Sequence, residues 1–188
     1  MKLPQMVAAS VCLLVLIATS AHAENPTAGV LGGVTASRFS PGGSDGSITL
    51  GPGGVAGLYA VLPITKSISL MPELEWVGKY ASRTGSTLGD ARIDYVELPI
   101  LVKMPFYWGT YFAEGIGLGW PMGVGGFAQH LSDTTSPDFS IIIGGGHGLG
   151  HHGAIEFRYD GGVRRVSTRD TDPIQRTRSF MLMLKFHL

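Results

Sequence analysis

The chain has 188 residues, 28 of them glycine, with a single cysteine, and 14 Lys and Arg balance 14 Asp and Glu. That balance supplies no global field for nucleic acid, and one cysteine excludes a disulfide framework. Abundant glycine opposes helix and suits turns, bulges and crowded strand interiors.

Residues 1–23 read as a secretory leader. Lys2 gives a short positive start, Val7 to Ala18 is mostly apolar, and Ala21-His22-Ala23 is an A-x-A cleavage site. The apolar run is shorter than the ~20 residues of a helical span. Cys12 lies inside that run, so the expected mature chain, residues 24–188, has no cysteine. An exported domain without disulfides must be held by its core or by a membrane. No linker or low-complexity tail divides residues 24–188, which are expected to form one domain.

Strands are expected at roughly 28–39, 53–62, 68–80, 93–103, 110–121, 139–147, 153–163 and 178–188. The third is the clearest. Ser69, Met71, Glu73, Glu75, Val77 and Lys79 share one face; Leu70, Leu74, Trp76 and Tyr80 share the other. In the fourth, Tyr95, Glu97, Leu101 and Lys103 oppose Val96, Leu98, Ile100 and Val102. In the seventh, Glu156, Arg158 and Asp160 oppose Ile155, Phe157 and Tyr159; in the eighth, Lys185 opposes Phe180, Leu182, Leu184 and Phe186. These lengths suit tilted membrane strands of about 9–11 residues. Connections alternate between long polar segments and short turns, as in outer-membrane barrels, whose outer loops are long and whose periplasmic turns are short. A lipid-facing Arg or Lys costs about 2–4 kcal/mol at the midplane. Glu73, Glu75, Lys79, Glu97, Lys103, Glu156, Arg158, Asp160 and Lys185 are therefore expected to face the lumen as a structural charge network. Across these four strands only Asp94, at a loop end, falls on an apolar face.

Three features fit less simply. Pro72 and Pro99 lie inside strands, where bulges are expected to excuse the missing N–H. In the fifth strand Glu114 shares parity with Phe112, Ile116, Leu118 and Trp120, which a bulge near Gly115 would correct. Aromatic residues near strand ends, among them Phe39, Trp76, Tyr80, Tyr95, Tyr107, Trp108, Tyr111, Trp120, Tyr159 and Phe186, are expected to form interfacial girdles.

The segment Asp94-Tyr95-Val96-Glu97-Leu98-Pro99-Ile100-Leu101-Val102-Lys103 resembles the Tyr-Leu-Glu-Ile-Pro-Leu-Leu-Leu-Lys stretch of the outer-membrane β-barrel domain family, which includes PorT-like and OmpA-like small eight-stranded barrels. Tyr111-Phe112-Ala113-Glu114-Gly115-Ile116-Gly117 is similar to that family's next, glycine-rich strand. The end departs from the pattern: such barrels commonly finish on Phe, whereas here His187 and Leu188 follow Phe186. The resemblance implies an eight-stranded outer-membrane barrel and no catalytic residues.

Other clusters carry weaker signals for chemistry. His147, His151 and His152 lie in or beside the turn between Gly144 and Gly153, but no thiol or carboxylate at convincing spacing completes a metal site. His130-Leu131-Ser132 is similar to the His-x-Ser pair of outer-membrane lipid A deacylases, yet beyond the adjacent Asp133 no well-placed acid orients the histidine. Gly144-Gly145-Gly146 precedes no helix, so it is no phosphate loop. The loop arginines Arg164, Arg165, Arg169, Arg176 and Arg178 exceed the acids Asp170 and Asp172, and form a possible contact for lipopolysaccharide phosphates.

The expectation is an all-β, up-and-down, eight-stranded antiparallel transmembrane barrel with a lumen filled by side chains. It would be a non-enzymatic monomer of a Gram-negative-type outer membrane, with a structural, envelope-integrity or surface-interaction role and neither cofactor nor metal. Its partners would be outer-membrane lipid, lipopolysaccharide and, during biogenesis, the barrel-insertion machinery. The alternatives are a lipid A-modifying enzyme and a soluble lipocalin-like binder, whose apolar face would turn inward.

Overall fold

Strands whose side chains alternate between charge and hydrocarbon must separate two environments, and a closed sheet does so without leaving an edge. The computed structural model describes residues 26–41, 48–83, 91–126, 137–150, 152–163 and 174–188. They form β1 (Thr27–Pro41), β2 (Ile48–Thr65), β3 (Ile68–Arg83), β4 (Ala91–Pro105), β5 (Thr110–Gly126), β6 (Asp138–Gly148), β7 (Gly153–Gly162) and β8 (Ile174–His187). Each strand pairs antiparallel with the next, and β8 closes on β1 through Gly29↔His187 to Ser40↔Arg176. The fold class expected from the sequence is the one observed.

Most strands run several residues past the expected bounds. β2 begins at Ile48 and β8 at Ile174. Ladder hydrogen bonding continues beyond the apolar belt, where the side-chain pattern no longer reports it. Short turns close β2–β3, β4–β5 and β6–β7, and both termini of the barrel lie at that end.

The prolines behave differently from expectation. The β3–β4 register is the same at Pro72↔Ile100 and Glu75↔Glu97, and the β4–β5 register runs unbroken through Pro99↔Gly117. Neither proline sits at a bulge. Instead each leaves a gap in one ladder: β2–β3 pairing skips from Tyr59↔Glu73 to Leu62↔Leu70 beside Pro72, and β3–β4 pairing skips from Pro72↔Ile100 to Glu75↔Glu97 beside Pro99. A missing donor removes bridges without requiring an extra residue. Register shifts fall elsewhere, between Gly51 and Val55, Pro63 and Thr65, Asp94 and Tyr95, and Ser40 and Pro41.

The fifth strand also corrects the sequence reading. Its register with β6 is continuous from Thr110↔His147 to Gly119↔Asp138, so no bulge lies near Gly115. Glu114 is consequently exposed on the outer wall, in one row with Val102 and Ile143.

The wall itself is apolar. Val34, Leu58, Trp76, Ile116, Ile141, Phe157, Phe180, Leu182 and Leu184 are all exposed on it. Phe106, Tyr107 and Trp108 project from the β4–β5 turn, with Trp108 92% exposed and held at φ 57°. A soluble barrel would not spend its aromatic and aliphatic residues this way.

Candidate functional site in the barrel interior

Odd-numbered positions of β3 and β4 and even-numbered positions of β7 point inward, as do the odd positions of β8. This parity carries Glu73, Glu75, Lys79, Glu97, Glu156, Arg158, Asp160 and Lys185 into the lumen, where each is at most 4% exposed. Lys103 also turns inward but remains half-buried, with its ammonium 4.2 Å from the centre of the Tyr111 ring.

The charges form two connected groups. In the one nearer the short turns, Arg158 spans the bore. Its Nη1 lies 2.9 Å from Glu75 Oε1 and its Nη2 lies 2.8 Å from Glu73 Oε2 and 2.6 Å from Glu156 Oε1. Lys185 bridges Glu73 and Glu156, 2.7 Å from an oxygen of each, and approaches Met71 Sδ at 3.6 Å. The Tyr111 hydroxyl donates to Glu156 Oε2 at 2.6 Å. In the group nearer the long loops, Lys79 lies 2.7 Å from Glu97 and 2.8 Å from Asp160, with its ammonium 4.9 Å from the centre of the Tyr95 ring. The direct cross-strand pair Glu75↔Glu97 joins the two groups. Among the described residues, Glu75 Oε2, Glu97 Oε2, Asp160 Oδ1 and the Tyr95 hydroxyl have no hydrogen-bond partner.

The remaining lumen is filled by hydrocarbon and by glycine. Leu31, Val55, Met71, Val77, Leu101, Ile142, Met181 and Met183 are buried around the charges. Glycine makes room for the rings: a Cβ on Gly146 would overlap Cζ and the hydroxyl of Tyr111, and one on Gly119 would lie 3.2 Å from Tyr95. At the short-turn mouth, the Tyr59 hydroxyl and His187 Nδ1 are 2.8 Å apart.

Two residues assigned to the interfacial girdle from their position near strand ends are lumen residues instead: Tyr95 is 1% and Tyr111 7% exposed. The signal was present in the parity of Tyr95 with Glu97 and of Tyr111 with Ala113, and position along the strand was the weaker guide. Met71 lies on the inward face read from the sequence, whereas Tyr59 and Asp138 were missed because a lone polar residue among apolar neighbours does not mark which partners will reach it.

The other candidates are scattered or lie beyond what can be described. His147 and His152 are exposed, and His151 is outside the described residues. His130, Ser132, Asp133, Arg164, Arg165 and Arg169 are outside them too. The Arg176 side chain is likewise not described, whereas Arg178 is exposed on the outer wall. Asp94, also on the outer wall, pairs with Arg92 at 2.9 Å, and that guanidinium lies over the Tyr80 ring.

No protein-family model matches the chain, and no curated protein does. Among solved structures, Neisserial surface protein A is similar over 87% of this chain and 99% of its own, with a TM-score of 0.55 and 9% identity. Ail, the attachment invasion locus protein of Yersinia pestis, aligns over 88% of this chain and 100% of its own, at TM-score 0.48 and 13% identity. The fold is that of the small eight-stranded outer-membrane barrels. An apolar outside around a charged inside sets the strands across a bilayer, and closed barrels of this kind span the outer membrane of Gram-negative bacteria.

Proposed function

We propose that this protein is a closed, non-enzymatic barrel whose interior network is a structural plug and whose biological contacts are made by its outer surface, in envelope integrity or cell-surface interaction. The observation that carries the reading is Arg158, which ties β7 to Glu73 and Glu75 on the opposite side of the bore, and so fills the lumen at the level where a channel would need water. An eight-stranded barrel has just the width that side chains can fill. Ion pairs linking facing walls also set the register of strands that share no ladder.

The protein acts as a monomer, reaches the membrane through the barrel-insertion machinery, and meets lipopolysaccharide at its long-loop end, where Arg164, Arg165 and Arg169 supply positive charge. The inverted arrangement of a lipocalin-like binder, apolar inside and charged outside, is opposite to the wall described above.

The test combines fractionation with conductance. Purified protein in a planar bilayer is expected to give no stable ion-selective openings, and the folded form to migrate faster than the boiled form on gels. Reproducible single-channel steps from the wild type would overturn the plug. Recovery of the native protein in the soluble periplasmic fraction would overturn the membrane reading as a whole.

A further inference from the structure

At the long-loop end of the wall, Arg38 of β1 and Arg178 of β8 are directly opposed and both exposed. Gly161 of β7 completes the same row. A Cβ on Gly161 would meet the Tyr159 ring at 3.1 Å and its hydroxyl at 3.3 Å, so the phenol lies over this glycine and brings a hydroxyl to the level of the two arginines. One row deeper, Phe180 is flanked by Tyr159, 5.3 Å between ring centres; Phe157, two rows deeper, stacks on it at 6.0 Å. Leu182 and Val34 continue the surface toward the middle of the wall.

Like charges placed directly opposite on neighbouring strands repel. Arg92, elsewhere on the same rim, is neutralised by Asp94 beside it. Neither Arg38 nor Arg178 has an acid within salt-bridge distance among the described residues. Two guanidiniums that no acid among the described residues neutralises, with a hydroxyl beside them at the outer interface and an aromatic and aliphatic strip below, match a molecule with phosphate at headgroup level and acyl chains beneath it. Guanidinium forks bind phosphate bidentately.

We infer that the Arg38–Arg178 row, with Tyr159, is a binding site on the barrel wall for the phosphate of an outer-leaflet lipopolysaccharide molecule, with its acyl chains against Phe157, Phe180 and Leu182. The site rests on the outer-membrane reading above; it shares Arg178 with the arginines grouped from the sequence but does not include Arg164, Arg165 or Arg169, and it lies in the bilayer plane, where the lipid is always at hand.

The test uses the full barrel folded in detergent micelles, with bis-phosphorylated lipid A as probe and native mass spectrometry to count bound lipid. The variants are R38Q/R178Q, R92Q, and an R164Q/R165Q/R169Q loop variant. R38Q/R178Q is expected to weaken lipid A binding at least about tenfold while keeping the heat-modifiable mobility of the folded form, because charged hydrogen bonds of this kind carry that much affinity. R92Q is expected to bind as the wild type does, and the loop variant to lose less affinity than R38Q/R178Q. Dephosphorylated lipid A should bind the wild type and R38Q/R178Q alike. Equal lipid A binding by R38Q/R178Q and wild type, loss confined to the loop variant, or equally tight binding of phosphatidylglycerol would each overturn the site. Because binding is read on purified barrel, these outcomes are independent of the fractionation that tests the membrane reading.

Discussion

Arg158 Nη2 and Glu73 Oε2 lie 2.8 Å apart although 85 positions separate them in the chain, and the strands that carry them, β7 and β3, share no ladder. The contact is a strut across the bore. Among the described residues, removing the guanidinium leaves Glu75 with no base and Glu73 and Glu156 sharing Lys185 alone. Arg158→Met is therefore expected to destabilise the folded barrel by about 3–5 kcal/mol, the usual cost of stranding a buried charge. Urea unfolding in lipid vesicles measures it. Adding Glu75→Gln should return part of the loss; no recovery would mean that Glu75 does not depend on Arg158.

Lys79 stands alone between two acids, Glu97 and Asp160. The two sides of this arrangement are unequal. Lys79→Met should cost about 3–5 kcal/mol, since it strands both carboxylates. Glu97→Gln should cost less than about 1 kcal/mol, because Asp160 still holds the ammonium and the like-charge pair with Glu75 is relieved. Equal losses in the two variants, read in the same unfolding assay, would contradict the pairing.

Glu114 faces lipid between Val102 and Ile143, about 10 Å along the membrane normal from the start of β5. No base among the described residues pairs with it, and its row neighbours are hydrocarbon. Glu114→Leu is expected to stabilise the barrel, by up to about 2 kcal/mol, since an acid on a lipid-facing site costs less than the 2–4 kcal/mol of a base at the midplane. A destabilised Glu114→Leu barrel would mean that the carboxylate has a partner on this wall.

Gly146 and Tyr111 are coupled by space. A methyl group on Gly146 would displace the Tyr111 ring, and with it the hydroxyl that donates to Glu156. Gly146→Ala should cost about 1–3 kcal/mol as an overpacked site. Tyr111→Phe alone should cost a comparable amount through the lost charged hydrogen bond. The double variant should lose less than the sum of the two single losses, because both act on the same contact; strict additivity would argue that Gly146 matters for some other reason.

Much of the interior was legible from parity alone. Glu97 and Lys103 alternate with Val96, Leu98 and Val102, and burying the first set while exposing the second is the only placement a bilayer tolerates. Parity holds even where another preference of the side chain opposes it. Tyr95 and Tyr111 were assigned outward because aromatic rings favour interfaces, yet each follows its own strand inward to a buried ammonium or carboxylate. Glu114 was assigned a corrective bulge because acids avoid lipid, yet the strand keeps its register, since one bulge would have turned Phe112 or Ile116 into a crowded lumen. Bulges are expected at Pro72 and Pro99, and the sheet instead keeps its register through both and leaves two local gaps in the ladders.

Period-two alternation is a local property, so the residue string by itself determined the strands, their faces and the sign of the inside relative to the outside. It also held the loop alternation that orients the barrel. Only the closed structure decided which charges meet. Arg158 and Glu73, or Arg38 and Arg178, become neighbours through the stagger of strands around the ring and the closure of β8 on β1. Those are properties of the whole circuit, and no window of sequence contains them.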